Sequence, residues 1–392
     1  MASPPRASHA RRGTLKGGHM TADLFAQLRR APDVEAPELV AVDATDRLLL
    51  DEAAAALAIA GPGEVAVVDD AYGALTLGAV ALHGAVGVRV YQDLLVGERA
   101  LARNAERTGL TGTYRPVPLG PELAAGARVV LVQAPKGLEA LREIAEVLAA
   151  SAAPDVTVFV GGRVKHMTHA MNDVLRDSFT DVSATLARQK SRVLVARGPR
   201  PSASSFPRTQ EHADLGLVVR AHGAAFAGTK IDVGTRTLLG ALDRMAPDAG
   251  TALDLGSGTG VLATLLARAR PGLEVLAADQ SAAAVASTTA TAEANGVGGR
   301  VRVLRDDAAE SVDDASVDLV ILNPPFHVGA AVVTSAADRL FAAAGRVLRP
   351  GGELWTVYNS ALRYKPTLAR LVGPTRVVEQ TPKFTVTVST RR

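Results

Sequence analysis

Two short segments in the last third of the chain combine residue types that suit chemistry. Asp254-Leu255-Gly256-Ser257-Gly258-Thr259-Gly260 ends one apolar stretch, and Asn323-Pro324-Pro325-Phe326 ends another further along. The first predicts a glycine-rich turn, which lets a backbone lie against a nucleoside cofactor. The second joins an amide, a proline-restricted carbonyl and an aromatic ring, which indicates a receptor for a planar amino group. Together they predict a methyl donor in one pocket facing an amino nitrogen in the next.

The acidic residues after the glycine turn narrow the choice of cofactor. Asp279 ends the second predicted strand, where a carboxylate can accept both ribose hydroxyls, a spacing that suits NAD and S-adenosylmethionine alike. Asp307, or its neighbour Asp306, ends the third strand and can accept a hydrogen bond from the adenine amino group. The alternative is a tight turn without a ligand. The predicted cofactor-binding residues are Asp254, Gly256, Ser257, Gly258, Gly260, Asp279, Gln280, Asp307 and Asn323.

The Asn323 segment answers a specific chemical need. The lone pair of an amino group on a purine or a carbonyl is delocalised, so that nitrogen is a poor nucleophile. The Asn323 side-chain oxygen and the Pro324 carbonyl could each accept a hydrogen bond from one N–H of this amino group. The nitrogen would then become more tetrahedral, and its lone pair would point at a sulfonium methyl group. Phe326 would stack on the substrate plane, worth about 1–3 kcal/mol in nucleic-acid sites. We therefore predict Asn323, Pro324 and Phe326 as catalytic residues and S-adenosylmethionine as the cofactor.

Two alternatives at this segment stay open. The first is that the four residues form a plain turn after a strand. The second concerns His327, which either contacts the substrate or packs as a structural histidine. Phe226, Lys230 and Asp232, upstream, either line the mouth of the cofactor pocket or belong to a hairpin leading into the domain.

The elements that must position these residues alternate short apolar strands with helical segments, which is typical of a parallel sheet covered on both faces. The predicted strands of the second half are Thr251–Leu255, Leu273–Ala278, Arg300–Arg305, Val317–Leu322 and Glu353–Val357, with helices at Gly260–Arg270 and Ser281–Ala294 and a closing strand pair at Arg376–Gln380 and Phe384–Thr390. The pattern predicts an α/β fold, and a parallel sheet finished by an antiparallel hairpin resembles the fold of class I methyltransferases.

Composition and turn residues divide the chain into two bodies of similar size. Residues 1–19 lack periodicity and read as a disordered basic tail, so Met20 is a second candidate start. Residues 198–211 are rich in Pro and Ser, which indicates a linker. We predict a degenerate methyltransferase-like domain over residues 20–197 and a catalytic domain over residues 212–392.

The two bodies resemble a worn internal duplication. With an offset of 185, Val67–Leu75 falls on Ala252–Gly260, Asp93 falls near Asp279, and Gln133-Ala134-Pro135-Lys136 falls near Asn323–Phe326. In this alignment Ala71 and Leu75 replace two of the three turn glycines, where Cβ atoms would obstruct a cofactor. The sequence therefore predicts that the first body has the same fold without a catalytic site. The alternative is a chance match between two α/β bodies.

Composition excludes several classes of protein. The chain of 392 residues has no cysteine, which excludes disulfides, thiolate metal ligands and a cysteine nucleophile, and no metal is expected. Apolar runs are too short to span a bilayer and no secretory signal is seen, so we expect a cytoplasmic protein without membrane contact. Basic side chains cluster over 163–208 and from 363 to the end, which predicts either phosphate-binding segments or solvated surface charge.

The chain resembles the tandem-domain bacterial ribosomal RNA guanine-N2 methyltransferases of the methyltransferase small domain family. The matching segments are Asp254–Gly260, Asp279, Asn323–His327 and Gly351-Gly352-Glu353-Leu354 in the second body, and Asp70-Ala71-Tyr72-Gly73-Ala74-Leu75 and Val164-Lys165-His166-Met167 in the first. The first body favours the large-subunit enzyme. The resemblance implies methyl transfer from S-adenosylmethionine to N2 of a guanine in 23S rRNA, with ribosomal RNA or a ribosomal particle as partner. It leaves the oligomeric state open.

Two rival functions remain at the level of sequence. The Asn-Pro-Pro-Phe motif also occurs in adenine-N6 and protein glutamine-N5 methyltransferases, so a protein substrate is one alternative. The other is a non-catalytic RNA-binding assembly factor that retains a cofactor pocket. A nicotinamide-dependent dehydrogenase is the least favoured, because the motif after the fourth strand does not suit it.

Overall fold

The computed structural model describes residues 24–324 and 330–392. The predicted tail 1–19, Phe326 and His327 lie outside these residues. The strands are β1 Val65–Val68, β2 Val88–Tyr91, β3 Tyr114–Pro116, β4 Val129–Gln133, β5 Thr157–Arg163, β6 Phe179–Ala184, β7 Ser191–Pro199, β8 Arg208–His212, β9 Leu217–Ala221, β10 Thr251–Leu255, β11 Glu274–Asp279, β12 Val301–Arg305, β13 Val317–Leu322, β14 Leu348–Asn359, β15 Thr375–Gln380 and β16 Phe384–Thr390.

Helices connect these strands. They span Ala44–Ile59, Ala74–His83, Leu95–Thr108, Pro121–Ala124, Leu138–Ser151, His169–Ser178, Val233–Leu239, Val261–Ala269, Ala282–Ala294, Ala330–Val347 and Lys365–Leu371, with 3-10 turns at Val164–His166, Leu242–Arg244, Gly298–Arg300 and Ser360–Leu362. The predicted cap of the helix after β11 is confirmed, since the Ser281 hydroxyl accepts the Ala284 N–H and Asn295 ends the helix. None of the helices within the described ranges has the length and apolar character needed to cross a bilayer.

Within the described residues, the strands form two seven-stranded sheets of the same design, and β8 and β9 pair as a separate antiparallel sheet. The first has the order β3-β2-β1-β4-β5-β7-β6 and the second β12-β11-β10-β13-β14-β16-β15. Each is parallel through its first five strands, and each ends in an antiparallel hairpin, β6–β7 and β15–β16. Strands such as β1 and β4 are apolar and buried on both faces, because helices cover both sides of the sheet. This architecture confirms the predicted pair of tandem class I methyltransferase folds.

The segment between the sheets is shorter than the predicted linker. Gly198 and Pro199 still belong to β7, and Arg208 already begins β8, so only residues 200–207 lie outside a strand. The Ser205 backbone N–H and hydroxyl donate to the Glu146 carboxylate at 2.8 and 2.6 Å, which ties this segment to the first half. The division into domains at 197 and 212 itself stays a prediction.

The strand register corrects the predicted offset between the two halves. Val68 pairs with Tyr91 and Val132 in the first sheet, just as Leu255 pairs with Ala278 and Leu322 in the second. Val68 and Leu255 are therefore equivalent, an offset of 187 residues and not 185. The duplication stands, but the predicted alignment is wrong by two residues at the first turn.

This correction changes which turn glycines the first half has lost. Asp69 and Ala71, both at φ 57°, now stand where Gly256 and Gly258 stand, and Gly73 matches Gly260 as the left-handed residue before the helix. Leu75 is thus not a glycine replacement. The same register puts Gln92, and not Asp93, at the position of Asp279.

Candidate functional site

A cavity of about 430 Å³ opens at the carboxyl ends of the second sheet. It lies where β10 separates β11 from β13, the point at which strand order reverses and where open α/β sheets bind ligands. Of the predicted residues, Gly256, Ser257, Gly258, Asp279, Gln280, Asp306, Asp307, Asn323 and Pro324 line it. Tertiary structure therefore brings together side chains from four separate strand ends.

The glycine turn presents bare backbone to this cavity. Gly256 and Gly258 have φ of 79° and 56°, and a Cβ placed on either would meet no described atom within 4 Å. The space in front of the turn is open at the point where a cofactor would need close backbone approach, so these residues fit a nucleoside cofactor. Gly260 serves packing instead, since its Cβ would lie 2.8 Å from Thr288 Cγ2 on the neighbouring helix.

Asp254 supports the turn without lining the cavity. Its side chain is 2% exposed, and its Oδ2 accepts the Ala263 N–H at 3.0 Å. Burial raises its pKa to about 7. An acid held in this way stabilises the start of the helix Val261–Ala269 through its free N–H groups. The geometry thus assigns Asp254 and Gly260 to support, in place of the cofactor contacts predicted for them.

Asp279 is held so that its carboxylate faces the cavity. Its two oxygens accept the Gly258 N–H at 3.0 Å and the Ser281 N–H at 2.9 Å. Burial raises the pKa of this carboxyl above its ordinary value. Each carboxylate oxygen has further acceptor capacity, so the pair can still take two ribose hydroxyls.

The two acids after β12 have different local partners. Asp306 accepts the Ser311 N–H and hydroxyl at 2.9 and 2.6 Å, which closes the following turn. Asp307 forms an ion pair with Arg339 at 2.5 Å. Sequence reasoning missed Arg339, which comes from the helix Ala330–Val347 and carries no motif of its own. An adenine contact by Asp307 stays a prediction.

The side chain of Asn323 is oriented by its neighbours. Its Nδ2 donates to Thr235 Oγ1 at 3.0 Å and to Asp232 Oδ2 at 3.2 Å. Its Oδ1 is buried and has no hydrogen-bond partner among the described residues. A carboxylate can only accept, so the NH2 must face Asp232 and the carbonyl oxygen is left as an acceptor. The roles of Pro324 and Phe326 stay predictions.

Asp232 orients the side chain of Asn323, whereas the sequence predicted it only as a candidate residue at the mouth of the cavity. It is the N-cap of the helix Val233–Leu239, where its Oδ1 accepts the N–H of Gly234 at 2.8 Å and of Thr235 at 3.2 Å. Phe226 and Lys230 also line the cavity, and the competing hairpin lies earlier, at Arg208–Ala221. The Asp-Val-Gly-Thr pattern of a helix N-cap was the available signal for this role.

The first half also contributes to the cavity. Leu94 and Lys136 line it, and the Lys136 side chain is exposed. Lys136 follows β4 in the first sheet at the place where Phe326 follows β13 in the second. A cation from the degenerate half therefore stands at the mouth of the candidate site. In the sequence alignment of the two halves, Lys136 falls near Asn323–Phe326. That Lys136 lines the cavity of the other half was not predicted.

Most arginines of the first basic segment are paired. Arg163, Arg176, Arg188, Arg197 and Arg208 each lie within 4.0 Å of a carboxylate. The alternative of solvated surface charge therefore fits much of the segment 163–208. Lys165 and Lys190 have no ion pair to a described residue. These ion pairs leave fewer basic side chains of this segment available to bind phosphate.

In the described portion of the chain, no three His, Asp or Glu side chains are grouped to hold a metal ion.

Comparison with known proteins adds to this geometry. Residues 216–388 match the methyltransferase small domain, and residues 19–200 match the RLMG N-terminal domain. The chain is 35% identical over 369 residues to ribosomal RNA large subunit methyltransferase G of Pseudomonas aeruginosa, covering 92% of this chain and 97% of that one. The protein of that name from Streptomyces coelicolor is 36% identical over 373 residues, with 92% and 96% coverage. A solved T. thermophilus 16S rRNA N2 G1207 methyltransferase, in complex with AdoMet and guanosine, shares the fold with a TM-score of 0.70, 24% identity and coverage of 89% and 92%.

Proposed function

The chain belongs to the ribosomal RNA large subunit methyltransferase G family, and from that membership we propose that it methylates N2 of a guanine in 23S rRNA with S-adenosylmethionine as donor. The observation that carries the proposal is the oriented amide of Asn323, whose Oδ1 is left without a described partner. It stands at the end of β13, in the cavity that also holds the glycine turn and Asp279.

When bound, S-adenosylmethionine supplies a methyl group made electrophilic by its sulfonium. The residues of the chain then bind and orient. Gly256 and Gly258 would allow close approach, Asp279 would accept hydrogen bonds from the ribose hydroxyls, and the Asn323 oxygen and Pro324 carbonyl would accept one hydrogen bond each from the guanine amino group. Transfer would break the bond between sulfur and the methyl carbon as nitrogen bonds to that carbon, leaving a neutral thioether, and the positive nitrogen would then lose its proton to solvent. No strong base would therefore be needed, and most of the acceleration would come from positioning.

Lysines at the cavity mouth suit an RNA substrate. Lys136 and Lys230 come from different halves and have no ion pair to a described residue. A guanine within a helix would be out of reach, so we infer that the target is unpaired or flipped outward, with its phosphates at these lysines. We therefore propose that the enzyme acts in the cytoplasm, with ribosomal RNA or a ribosomal particle as its partner.

The test is transfer of tritiated methyl groups from S-adenosylmethionine to total RNA and protein from a strain that lacks this protein. Label in N2-methylguanosine of 23S rRNA is expected. Label in N6-methyladenosine, or in a protein, would replace the assignment with one of its rivals. If the protein binds S-adenosylmethionine but labels neither fraction, under conditions where extract from the parent strain does, it is a binding factor.

A further inference from the structure

Two equivalent turns, one from each half, contact each other between the halves. Leu94 and Ser281 form an antiparallel bridge. Each is the residue immediately before the helix that follows the second strand of its own sheet. With the offset of 187 they are the same position in the two copies, so the contact joins like to like.

The backbone hydrogen bonds at this contact are reciprocal. The Leu95 N–H donates to the Gln280 carbonyl at 3.0 Å, and the Ala282 N–H donates to the Asp93 carbonyl at 2.8 Å. Both donors are equivalent between the halves, and so are both acceptors. The interface therefore has the self-complementary pattern of a two-fold dimer, built within one chain.

The side chains at this contact are not equivalent, because only the residue from the first half caps a helix of the other half. Asp93 Oδ1 accepts the Ala283 N–H at 2.9 Å and the Ser281 hydroxyl at 3.0 Å. A carboxylate of the degenerate half thus caps the helix Ala282–Ala294 of the other half, where the N-terminal N–H groups favour negative charge. The equivalent residue, Gln280, has no such role, since its Oε1 has no described partner.

Ser281, which Asp93 contacts, is two residues after Asp279 at the candidate ribose site. Ser281 is held by Asp93 through its hydroxyl and donates its N–H to Asp279 Oδ1 at 2.9 Å. Arg305, at the end of β12 in the second half, holds the turn that carries Asp93 by donating to the Gln92 carbonyl at 2.8 Å and to Glu98 at 2.7 Å. The turn that presents Asp279 is therefore clamped by the degenerate half.

We propose that Asp93 is a positioning residue for cofactor binding, which holds Ser281 and thereby the carboxylate of Asp279 in the orientation that accepts the ribose. The proposal rests on the proposed function insofar as the ligand is S-adenosylmethionine. Asp93 itself touches no cofactor. Loss of Asp93 is expected to change the affinity for the cofactor and not the rate of methyl transfer, because Asn323 follows a different strand from the one that ends at Asp279.

The first experiment compares full-length Asp93→Ala and Asp93→Asn by calorimetric titration with S-adenosylmethionine and by steady-state methyl transfer. Loss of the cap in Asp93→Ala is expected to raise the Kd about tenfold while kcat at saturating cofactor stays within about twofold. Asp93→Asn keeps an acceptor oxygen and is expected to restore most of the affinity. Unchanged affinity in Asp93→Ala, or an equal fall in kcat, would overturn the proposal.

The matched control is Arg99→Ala. Arg99 forms a 2.6 Å ion pair with Glu310, which also joins the two halves, has side chains 36% and 57% exposed, and involves no residue that lines the cavity. Its loss is expected to leave the Kd within about twofold of the parent value. An equal weakening in Arg99→Ala would mean that any damage to the contact between the halves suffices, which contradicts a specific role for Asp93.

The second experiment needs no substituted protein to fold and no RNA. Hydrogen exchange is measured on the parent protein with and without sinefungin, a stable analogue of the methyl donor. Coupling is reciprocal, so the ligand is expected to slow exchange of the Leu95 N–H, which lies in the degenerate half and donates to Gln280. Protection at Gly258 without any at Leu95 would refute the coupling but leave the methyltransferase assignment intact. Failure to bind sinefungin or S-adenosylmethionine would refute both.

Discussion

The side-chain amide of Asn323 lies against the carboxylate of Asp232, with 3.2 Å between Asn323 Nδ2 and Asp232 Oδ2. This contact decides which end of the amide is free, because a carboxylate oxygen cannot donate a hydrogen bond. A donor pointing into the site would repel an amino group, whereas an acceptor holds it. Asp232 therefore fixes the chemical character of the corner without needing to react.

Replacement of Asn323 by Ala removes the acceptor and leaves the rest of the cavity in place. By analogy with the loss of one oriented hydrogen bond in other active sites, we expect kcat to fall about 100-fold or more. Affinity for S-adenosylmethionine should change much less, because the glycine turn and Asp279 remain. Tritium transfer to RNA and calorimetric titration measure the two quantities. A variant with full activity would remove Asn323 from the mechanism.

Replacement of Asp232 by Asn tests the orientation of the amide. An asparagine at 232 can accept or donate, so the Asn323 amide would no longer be confined to one orientation, and we expect kcat to fall about tenfold. Thr235→Ser is the matched control, since it keeps the hydroxyl that accepts from Asn323. If Asp232→Asn and Thr235→Ser behave alike in single-turnover methyl transfer, the carboxylate has no orienting role.

Replacement of Gly258 by Ala tests the cofactor cradle. The new Cβ would project into open space at a left-handed φ of 56°, and Gly296→Ala places the same group at φ 71°, also in open space but at the end of a helix. Both variants should lose about 1–2 kcal/mol of stability from the backbone conformation. Only Gly258→Ala should weaken binding of S-adenosylmethionine, by about tenfold or more, because close approach is lost. Equal affinities in the two variants would contradict a cofactor at this turn.

Replacement of Lys136 by Ala tests the contribution of the degenerate half to RNA binding. Loss of one phosphate contact should lower the slope of log affinity against log salt concentration by about 0.7–0.9. Arg107→Ala is a suitable control, because Arg107 is exposed in the last turn of the helix that begins at Leu95, away from the cavity. Filter binding of rRNA across a salt series measures both slopes. Equal slopes for the parent and Lys136→Ala would exclude this contact.

Stability should depend on pH through Asp46. Burial raises the pKa of Asp46 to about 8, so the folded state holds this proton more tightly than the unfolded state. Its contribution to stability is full below pH 3.8 and is lost as pH rises toward 8, with a slope of at most about 1.4 kcal/mol per pH unit. Asp46→Asn should therefore flatten the fall in melting temperature between pH 5 and 8. An unchanged slope would show that Asp46 is ionised when folded.

Local pattern predicted much of the second sheet. The bounds of β10, β13 and β16 were predicted as observed, since β10 and β13 are short, mainly apolar runs bounded by turn residues and β16 alternates apolar and polar residues. The cap at Ser281 was predicted because a serine precedes the helix. The cavity-lining positions Gly258, Asp279 and Asn323 followed from their place at strand ends, because the carboxyl ends of parallel strands meet at one edge.

Local patterns along the chain were therefore enough to predict the fold of each half and the main polar residues that line the cavity. The offset of 187, which puts Gln92 and not Asp93 at the position of Asp279, was not predictable from local patterns, because strand register depends on hydrogen bonds between distant segments. Asp254 and Asp279 are both acids at the end of a strand, and only their burial and hydrogen-bond partners show that Asp254 accepts a helix N–H while Asp279 lines the cavity. The Asp93 cap and the placement of Lys136 depend on how two equivalent halves pack together, which no local pattern records.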